Sequence, residues 1–394
     1  MSEDFGKLSI EFHKNLKGKI GVFSKVNIKT AKDLSVFYTP GIAAVSQAIH
    51  KKNCLSFEYT IRKNSVAVIS DGSAVLGLGN IGPLAAHPVM AGKALLFKQF
   101  ADIDAFPICL DSQNTDELIL IIKALAPSFG AINLEDISAP RCFEIEEKLQ
   151  DVGIPVMHDD QHGTAVVVLA GLINALKVVG KKIENTTIVV NGLGAAGTAT
   201  ARMISDYANG KCQMRLIDID GLVCSRTNLN KYQKQICQDV NAVKTTGNLQ
   251  KAIIGADVFI GLSAPNILSS QMIKKMAKNP IVFAMANPTP EIDPLVAKKA
   301  GAAIVATGRS DFPNQVNNVL AFPAIFRGAL DAAATKITKN MKIAAANELS
   351  LTIKNPSAEN ILPSPLDKSV VKKISKAVAK AAIKDGVTRP SCSS

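Results

Sequence analysis

The chain has 394 residues, 47% of them hydrophobic, which is enough for two ordinary domain cores and more than one domain comfortably holds. Its formal charge of +12 rests mostly on scattered lysines, since only 8 of the 45 basic residues are arginine; tryptophan is absent and only four tyrosines could stack on bases, which argues against a nucleic-acid partner. The seven cysteines (Cys54, Cys109, Cys142, Cys212, Cys224, Cys237, Cys392) include no Cys-x-x-Cys pair and are odd in number, so neither a zinc knuckle nor a disulfide framework is expected and a reducing cytoplasm fits best.

The start, MSEDFGKLSIEFHKNLKGK, has no apolar core of the signal-peptide type, and no uninterrupted apolar run is long enough to span a bilayer, so a soluble, unprocessed chain is expected. Residues 1–64 are polar and lysine-rich with short amphipathic stretches. Within them Tyr38-Thr39-Pro40-Gly41 breaks any helix and presents Tyr38 on a loop. Apolar runs at 66–69, 106–110, 131–134 and 154–157 then read as short buried strands, separated by helical stretches near 84–101, 114–125 and 140–150. That alternation implies an α/β domain with a parallel sheet.

Each of these strands runs into acid: Asp71, Asp111, Glu135-Asp136 and Asp159-Asp160. Open α/β sheets bind ligands at that edge. Helix capping is the plainer reading for Asp71 and Asp111. It fails for the adjacent pairs, which would repel one another unless a cation sits between them. Glu135, Asp136 and one of Asp159 or Asp160 therefore form a candidate oxygen site for Mg²⁺ or Mn²⁺. His158 and His162 stand beside it in no recurrent zinc spacing and read as supporting residues. Lys93, in the apolar stretch Met90-Ala91-Gly92-Lys93-Ala94-Leu95-Leu96-Phe97, is either a flank lysine that snorkels or a buried base whose pKa a nearby cation lowers.

A second unit follows, opening with an apolar helix at 165–179. Strand signals at 187–190, 214–217, 258–262, 281–285 and 303–306, with a helix at 195–208, describe a doubly wound Rossmann-type sheet. Two glycine runs match GxGxxG. In Gly192-Leu193-Gly194-Ala195-Ala196-Gly197 the first glycine follows its strand directly, a helix begins at once, and Asp218 closes the next strand, as a dinucleotide site requires. Gly77-Leu78-Gly79-Asn80-Ile81-Gly82 lies six residues beyond its strand and reads as a loop that lets backbone approach the site. Past Phe322 the residues favour helix, ending in 369–384 with an apolar stripe of Val370, Val371, Ile374, Val378 and Ala382 that packs on the body or a second subunit. The expected domains are 1–160, holding substrate and metal, and 161–394, binding NAD(P) and carrying the C-terminal helices.

Seven segments occur together in order: Tyr38-Thr39-Pro40-Gly41, Ser70-Asp71-Gly72 with 76–82, Gly92-Lys93, Leu134-Glu135-Asp136, His158 to Thr164, Ala286-Asn287-Pro288-Thr289 and Asn317-Asn318-Val319. In this the chain resembles the malic enzymes of the small-subunit bacterial type. The resemblance implies metal-dependent oxidative decarboxylation of (S)-malate to pyruvate and CO₂ with NAD(P)⁺, by a homodimer. It places the metal ligands on Glu135, Asp136 and Asp160, leaving Asp159 as support, with the general base on Lys93 and the general acid on Tyr38. Substrate contacts fall on Lys93, Asn287, Asn317 and Asn318; the cofactor falls on Gly192, Leu193, Gly194, Ala195, Ala196, Gly197, Asp218 and Asn287. Larger eukaryotic relatives carry an arginine where this chain has Ala74, which leaves the grip on the malate carboxylates open. Asp218 and Asp220 favour NAD, whereas Arg226 could receive the 2′-phosphate of NADP. The rival reading is a malolactic-type enzyme that keeps its NAD bound and releases lactate.

Overall fold

A computed structural model describes residues 4–75 and 77–392; Leu76, within the 76–82 segment, lies outside the described residues. The N-terminal part is α1 (Phe5–Leu16), α2 (Ala31–Phe37), α3 (Ile42–Lys51) and α4 (Ser56–Tyr59). Thr30 caps α2 reciprocally with Asp33, so this short helix is fixed by local hydrogen bonds. None of α1, α2 or α3 buries a residue; Phe5, Ile10, Phe12, Leu16 and Phe37 are exposed along them, and Phe23 is exposed between α1 and α2.

The first sheet follows as β1 (Ser65–Ser70), α5 (Gly82–Ala101), β2 (Asp104–Cys109), α6 (Thr115–Leu125), β3 (Ala131–Leu134), α7 (Arg141–Lys148) and β4 (Val156–His158). Its strands lie in the order β2-β1-β3-β4, all parallel. β1 and β3 are buried throughout, as their unbroken apolar runs require when both faces are covered. The carboxyl ends of β1, β3 and β4 consequently meet along one edge.

α8 (Asp159–Val179) then runs unbroken from β4 into the second unit. It is long and apolar enough by length and composition to cross a membrane, although Asp159, Asp160 and Lys177 interrupt its apolar run. Most of that length is buried inside the protein, and its side chains from Ala165 to Leu176 join one apolar cluster with Val66 and Phe97 of the first unit and Ile188, Val190 and Phe283 of the second. The helix is therefore a core element shared by both units.

The second unit contains β5 (Thr187–Asn191), α9 (Ala195–Tyr207), β6 (Gln213–Asp218), β7 (Gly221–Leu222), α10 (Lys231–Asp239), α11 (Leu249–Ala252), β8 (Val258–Gly261), α12 (Ser270–Ile273), β9 (Ile281–Ala284), α13 (Pro294–Lys299) and β10 (Ile304–Thr307). Its order is β10-β9-β8-β5-β6-β7, with only β7 antiparallel, as a short return against β6 that period-reading did not foresee. Strand order reverses between β5 and β8, which is where nucleotides lie in such sheets. Gly192 turns there with φ +100°, and a Cβ on it would come within 2.4 Å of the Leu262 carbonyl oxygen, so no larger residue fits.

Helices α14 (Phe322–Asp331), α15 (Lys339–Leu351) and α16 (Ser369–Lys384) close the chain. Val370, Val371, Ile374, Val378 and Ala382 are all buried, so the stripe of α16 packs on the body. Phe97 of α5 meets Phe322 and Phe326 of α14 edge-on, at 4.8 and 5.3 Å between ring centres, fixing the last helices to the first unit.

The cysteines correct the expectation of no disulfide framework. Cys54 is bonded to Cys392 and Cys224 to Cys237, while Cys109, Cys142 and Cys212 are free. The partners stand 338 and 13 residues apart, so proximity arises from tertiary folding and no spacing motif announces it.

Candidate active site

The edge formed by β1, β3 and β4 opens into a cavity of about 650 Å³ whose opposite wall is the glycine turn after β5. Lys93, Glu135, Asp136, Asp160, Asn287, Asn317 and Asn318 line it together with Gly194, Ala195 and Ala196. Residues from both units, up to 225 positions apart in the chain if Lys93 and Asn318 are compared, thus face one space.

Glu135, Asp136 and Asp160 each offer an oxygen, and the three atoms lie within 4.8 Å of one another. Asp136 adopts φ +53°, and its backbone N–H donates to Asp160 Oδ2 at 2.8 Å, which ties the β3 end to the first turn of α8. Asn133 Nδ2 donates to Glu135 Oε2 at 2.9 Å. Glu135 and Asp136 are almost fully buried, and Asp136 Oδ2 and Asp159 Oδ1 have no hydrogen-bond partner among the described residues. Three carboxylates, an unsatisfied oxygen and no thiolate suit a hard cation of the Mg²⁺ or Mn²⁺ kind. Without one the cluster is electrostatically overloaded. Burial, then the charges of Asp160 and Glu135, push the Asp136 carboxyl up to about 9; burial raises Glu135 to about 7 against the pull of Lys93; burial likewise raises Asp160.

Lys93 descends from α5, with Nζ 3.0 Å from Glu135 Oε1 and 2.5 Å from Asp159 Oδ2. Its ring of carboxylates reverses the pKa expected from the sequence. Burial depresses the ammonium, but Asp159, Glu135 and Asp160 outweigh it and raise the pKa above the usual lysine range. Asp159 is wholly buried, and its Oδ2 also accepts from Asn318 Nδ2 at 2.7 Å. It bridges base and asparagine, and its carboxylate folds back against Gly163, where a Cβ would lie 1.8 Å from Asp159 Oδ1. This explains the glycine of the 158–164 segment.

Asn287 precedes a cis peptide to Pro288 and lines the cavity. Asn317 also lines it, but its side-chain oxygen accepts from the Val319 N–H at 3.0 Å, leaving the amide nitrogen toward any ligand. Gly77 and Leu78 belong to the loop beneath it: Leu78 lines the cavity, and Gly77 comes closest to Asn287 and Pro288. At the far end of the turn, Asp218 closes β6 and its Oδ2 accepts from Gln233 Nε2 at 3.2 Å. Asp220 and Arg226 pair with each other at 2.6 Å.

Tyr38 does not join this assembly. It is 65% exposed and absent from the cavity wall. Asp71 and Asp111 cap no helix: α5 is capped at Ile81 and α6 at Asn114. Asp71 instead accepts from Arg141 Nη2 at 2.7 Å and from Ser73 Oγ at 2.6 Å, and Asp111 is exposed. His158 is buried, its Nε2 lies 3.6 Å from Asp160 Oδ2, and burial holds its pKa down at about 4, so it is neutral. Two residues escaped sequence reading. Arg141 and Glu146 both sit on α7, and Glu146 is one of three glutamates in Arg141–Lys148 that local pattern cannot tell apart.

With this geometry in hand, comparison with known proteins is direct. The profile of the malic enzyme N-terminal domain matches residues 17–150, and that of the malic enzyme NAD binding domain matches residues 161–387. The chain is 52% identical over 382 residues to the NAD-dependent malic enzyme of Geobacillus stearothermophilus, covering 96% of this chain and 79% of that one. It is 50% identical over 386 residues to the bifunctional malic/malolactic enzyme of Bacillus subtilis, covering 97% and 94%. The crystal structure of the NAD-dependent malic enzyme of Thermotoga maritima superposes with a TM-score of 0.91 at 50% identity, over 94% of this chain and 98% of that one. The two α/β units, the shared cavity and these matches place the chain in the malic enzyme family, among the oxidative decarboxylating oxidoreductases that bind NAD(P).

Proposed function

We propose that the chain oxidises and decarboxylates (S)-malate to pyruvate and CO₂, reducing NAD⁺, with Lys93 as base, Tyr38 as acid and Glu135, Asp136 and Asp160 as ligands of Mg²⁺ or Mn²⁺. The observation that carries this is the position of Lys93, in contact with Glu135 and Asp159 at a cavity whose other wall is the Gly194 to Ala196 turn. The cation supplies a Lewis acid for malate oxygens, and the nicotinamide supplies a hydride acceptor. Lys93 removes the C2 hydroxyl proton. Asp159, itself held by Asn318, keeps the Lys93 side chain in place. Asn287, Asn317 and Asn318 orient the carboxylates that no arginine at position 74 can grip. A phenol then returns a proton to C3 once CO₂ has left.

That phenol is Tyr38 of a partner subunit. The exposed apolar side chains of α1–α3 form a face that a second copy would cover, and the cavity has no tyrosine of its own among its lining residues. We accordingly divide the chain into units 1–160 and 161–394, joined through α8, and read it as a homodimer in the cytoplasm.

The Asp220–Arg226 pair supports NAD over NADP, because Arg226 is neutralised at 2.6 Å and is not free for a 2′-phosphate. Absorbance growth at 340 nm on malate, with each cofactor and with Mn²⁺ or EDTA, tests substrate, cofactor and metal together. Absence of growth under every metal and cofactor would overturn the proposal. A second reading is favoured by the similarity to the bifunctional malic/malolactic enzyme. Lactate formed without net NADH would establish it.

A further inference from the structure

The first turn of α8 poses a problem that its own sequence does not solve. It starts immediately after β4 with two adjacent carboxylates, and the N-cap residue His158 makes no side-chain capping bond. The free N–H groups of a helix start need an acceptor. Here the acceptor comes from another helix. Glu146 of α7 takes the His158 N–H on Oε1 at 2.9 Å, and on Oε2 it receives Gln161 Nε2 at 3.2 Å and His162 Nε2 at 2.9 Å. Lys342 Nζ of α15 approaches the same imidazole, 3.1 Å from His162 Nδ1 and 3.4 Å from its Nε2.

The donors fix the chemistry of this chain. An ammonium can only donate, so Nδ1 of His162 accepts and Nε2 carries the hydrogen that goes to Glu146. Burial keeps His162 neutral by lowering its pKa. Burial also opposes the Glu146 charge, yet His162, Lys342 and the His158 N–H outweigh it and hold the carboxyl down at about 2. Glu146 is thus a buried anion beside the positive end of α8, and Lys342 has no carboxylate at salt-bridge distance among the described residues. The two charges flank one neutral ring, and the ammonium also acts on the Glu146 carboxylate directly. None of Glu146, His162 or Lys342 lines the cavity.

We propose that Glu146 is a positioning residue. Through His158, Gln161 and His162 it sets the rotation and height of the α8 turn that carries Asp159 and Asp160, and Lys342 anchors that setting to the C-terminal helices. The inference rests on the reading of Asp160 as a cation ligand and of Asp159 as the partner of Lys93. It assigns the ligand's placement to a chain of contacts that crosses from α7 through α8 to α15, so that the last helices of the protein hold its first-unit edge in register. A merely structural Glu146 would support stability without affecting cation affinity.

The test measures Mn²⁺ affinity by the loss of the free-ion electron paramagnetic resonance signal, on dimeric full-length protein well below its thermal midpoint. Glu146→Gln is expected to weaken Mn²⁺ about tenfold or more, as loss of a supporting hydrogen-bond partner does in metal sites, and to leave NAD⁺ affinity unchanged. Lys342→Met should weaken it in the same direction by at least about threefold, and Lys342→Arg should restore it. Mn²⁺ affinity within about threefold of the parent in folded Glu146→Gln overturns the inference. Where that variant does not fold, unchanged affinity in Lys342→Met overturns it. Asp160→Asn separates the two levels: if it binds Mn²⁺ as the parent does, the cation assignment itself fails and the inference with it. If Asp160→Asn abolishes binding and Glu146→Gln does not alter it, only the positioning role fails.

Discussion

Replacing Asp136 by asparagine puts the electrostatics of the site to a quantitative test. Asp136 is 3% exposed, and its carboxyl is driven from an ordinary 3.8 to about 9 by burial, Asp160 and Glu135. Its folded pKa lies above its unfolded one, so its contribution to metal-free stability is full below about pH 4 and is lost as pH rises toward 9. Each unit is worth about 1.4 kcal/mol, which makes the loss about 1.7 kcal/mol at pH 5 and about 6 kcal/mol at pH 8. Asparagine keeps the shape and cannot ionise. In EDTA the variant should therefore be the more stable protein, by a margin that widens with pH to on the order of 10 °C in thermal midpoint at pH 8. In Mn²⁺ the order should reverse, because only the parent retains the full ligand set. Thermal unfolding followed by circular dichroism at pH 5 and pH 8, with EDTA and with Mn²⁺, reads all four corners. A variant less stable than the parent in EDTA at pH 8, or a margin that is the same at both pH values, would refute the reasoning.

Lys93→Ala should reduce malate oxidation by about 10²-fold or more with NAD⁺ binding intact, and turnover surviving within about tenfold means another group is the base. Mixing Tyr38→Phe with Lys93→Ala protein should regenerate activity in the hybrid dimers, since one site then combines an intact Lys93 with an intact partner tyrosine; no recovery would place Tyr38 in its own subunit's site. Asp220→Ser frees Arg226 from its 2.6 Å partner and should raise kcat/KM for NADP⁺ relative to NAD⁺ about tenfold, a change absent if Arg226 never faces the ribose. Alkylation in intact producing cells should label all seven cysteines if the chain sits in a reducing cytoplasm, whereas labelling of only Cys109, Cys142 and Cys212 would show both pairs closed.

What could be read from the sequence was whatever depends on a short stretch of chain. Strands β1, β3, β8 and β9 announced themselves because each is a run of four to six residues buried on both faces. The choice between the two glycine runs rests on local grounds as well: Gly192 follows β5 directly, whereas the turn at Gly77 serves the loop under Asn287. Long-range pairing was invisible. Nothing in the sequence near Asp159 signals Asn318, 159 residues on, and nothing near Glu146 signals Lys342. The cysteine pairs failed for the same reason. Tyr38 is the converse case, a residue whose motif is local but whose surroundings in one copy of the chain do not include the cavity.

The reversal at Lys93 shows how the parts depend on one another. A lysine buried in an apolar helix should lose its proton easily, and on composition that made it a base. In the folded chain Asp159, Glu135 and Asp160 hold the proton on instead. The same three acids are themselves raised by burial and by mutual repulsion, with Lys93 as their principal compensating charge. Lysine and carboxylates are therefore each other's counterions until a cation arrives. If Glu135 and Asp160 hold a cation as proposed, its charge would offset theirs and leave Asp159 alone to hold the Lys93 ammonium against the cost of burial, so that Lys93 would give up its proton more readily with the cation bound.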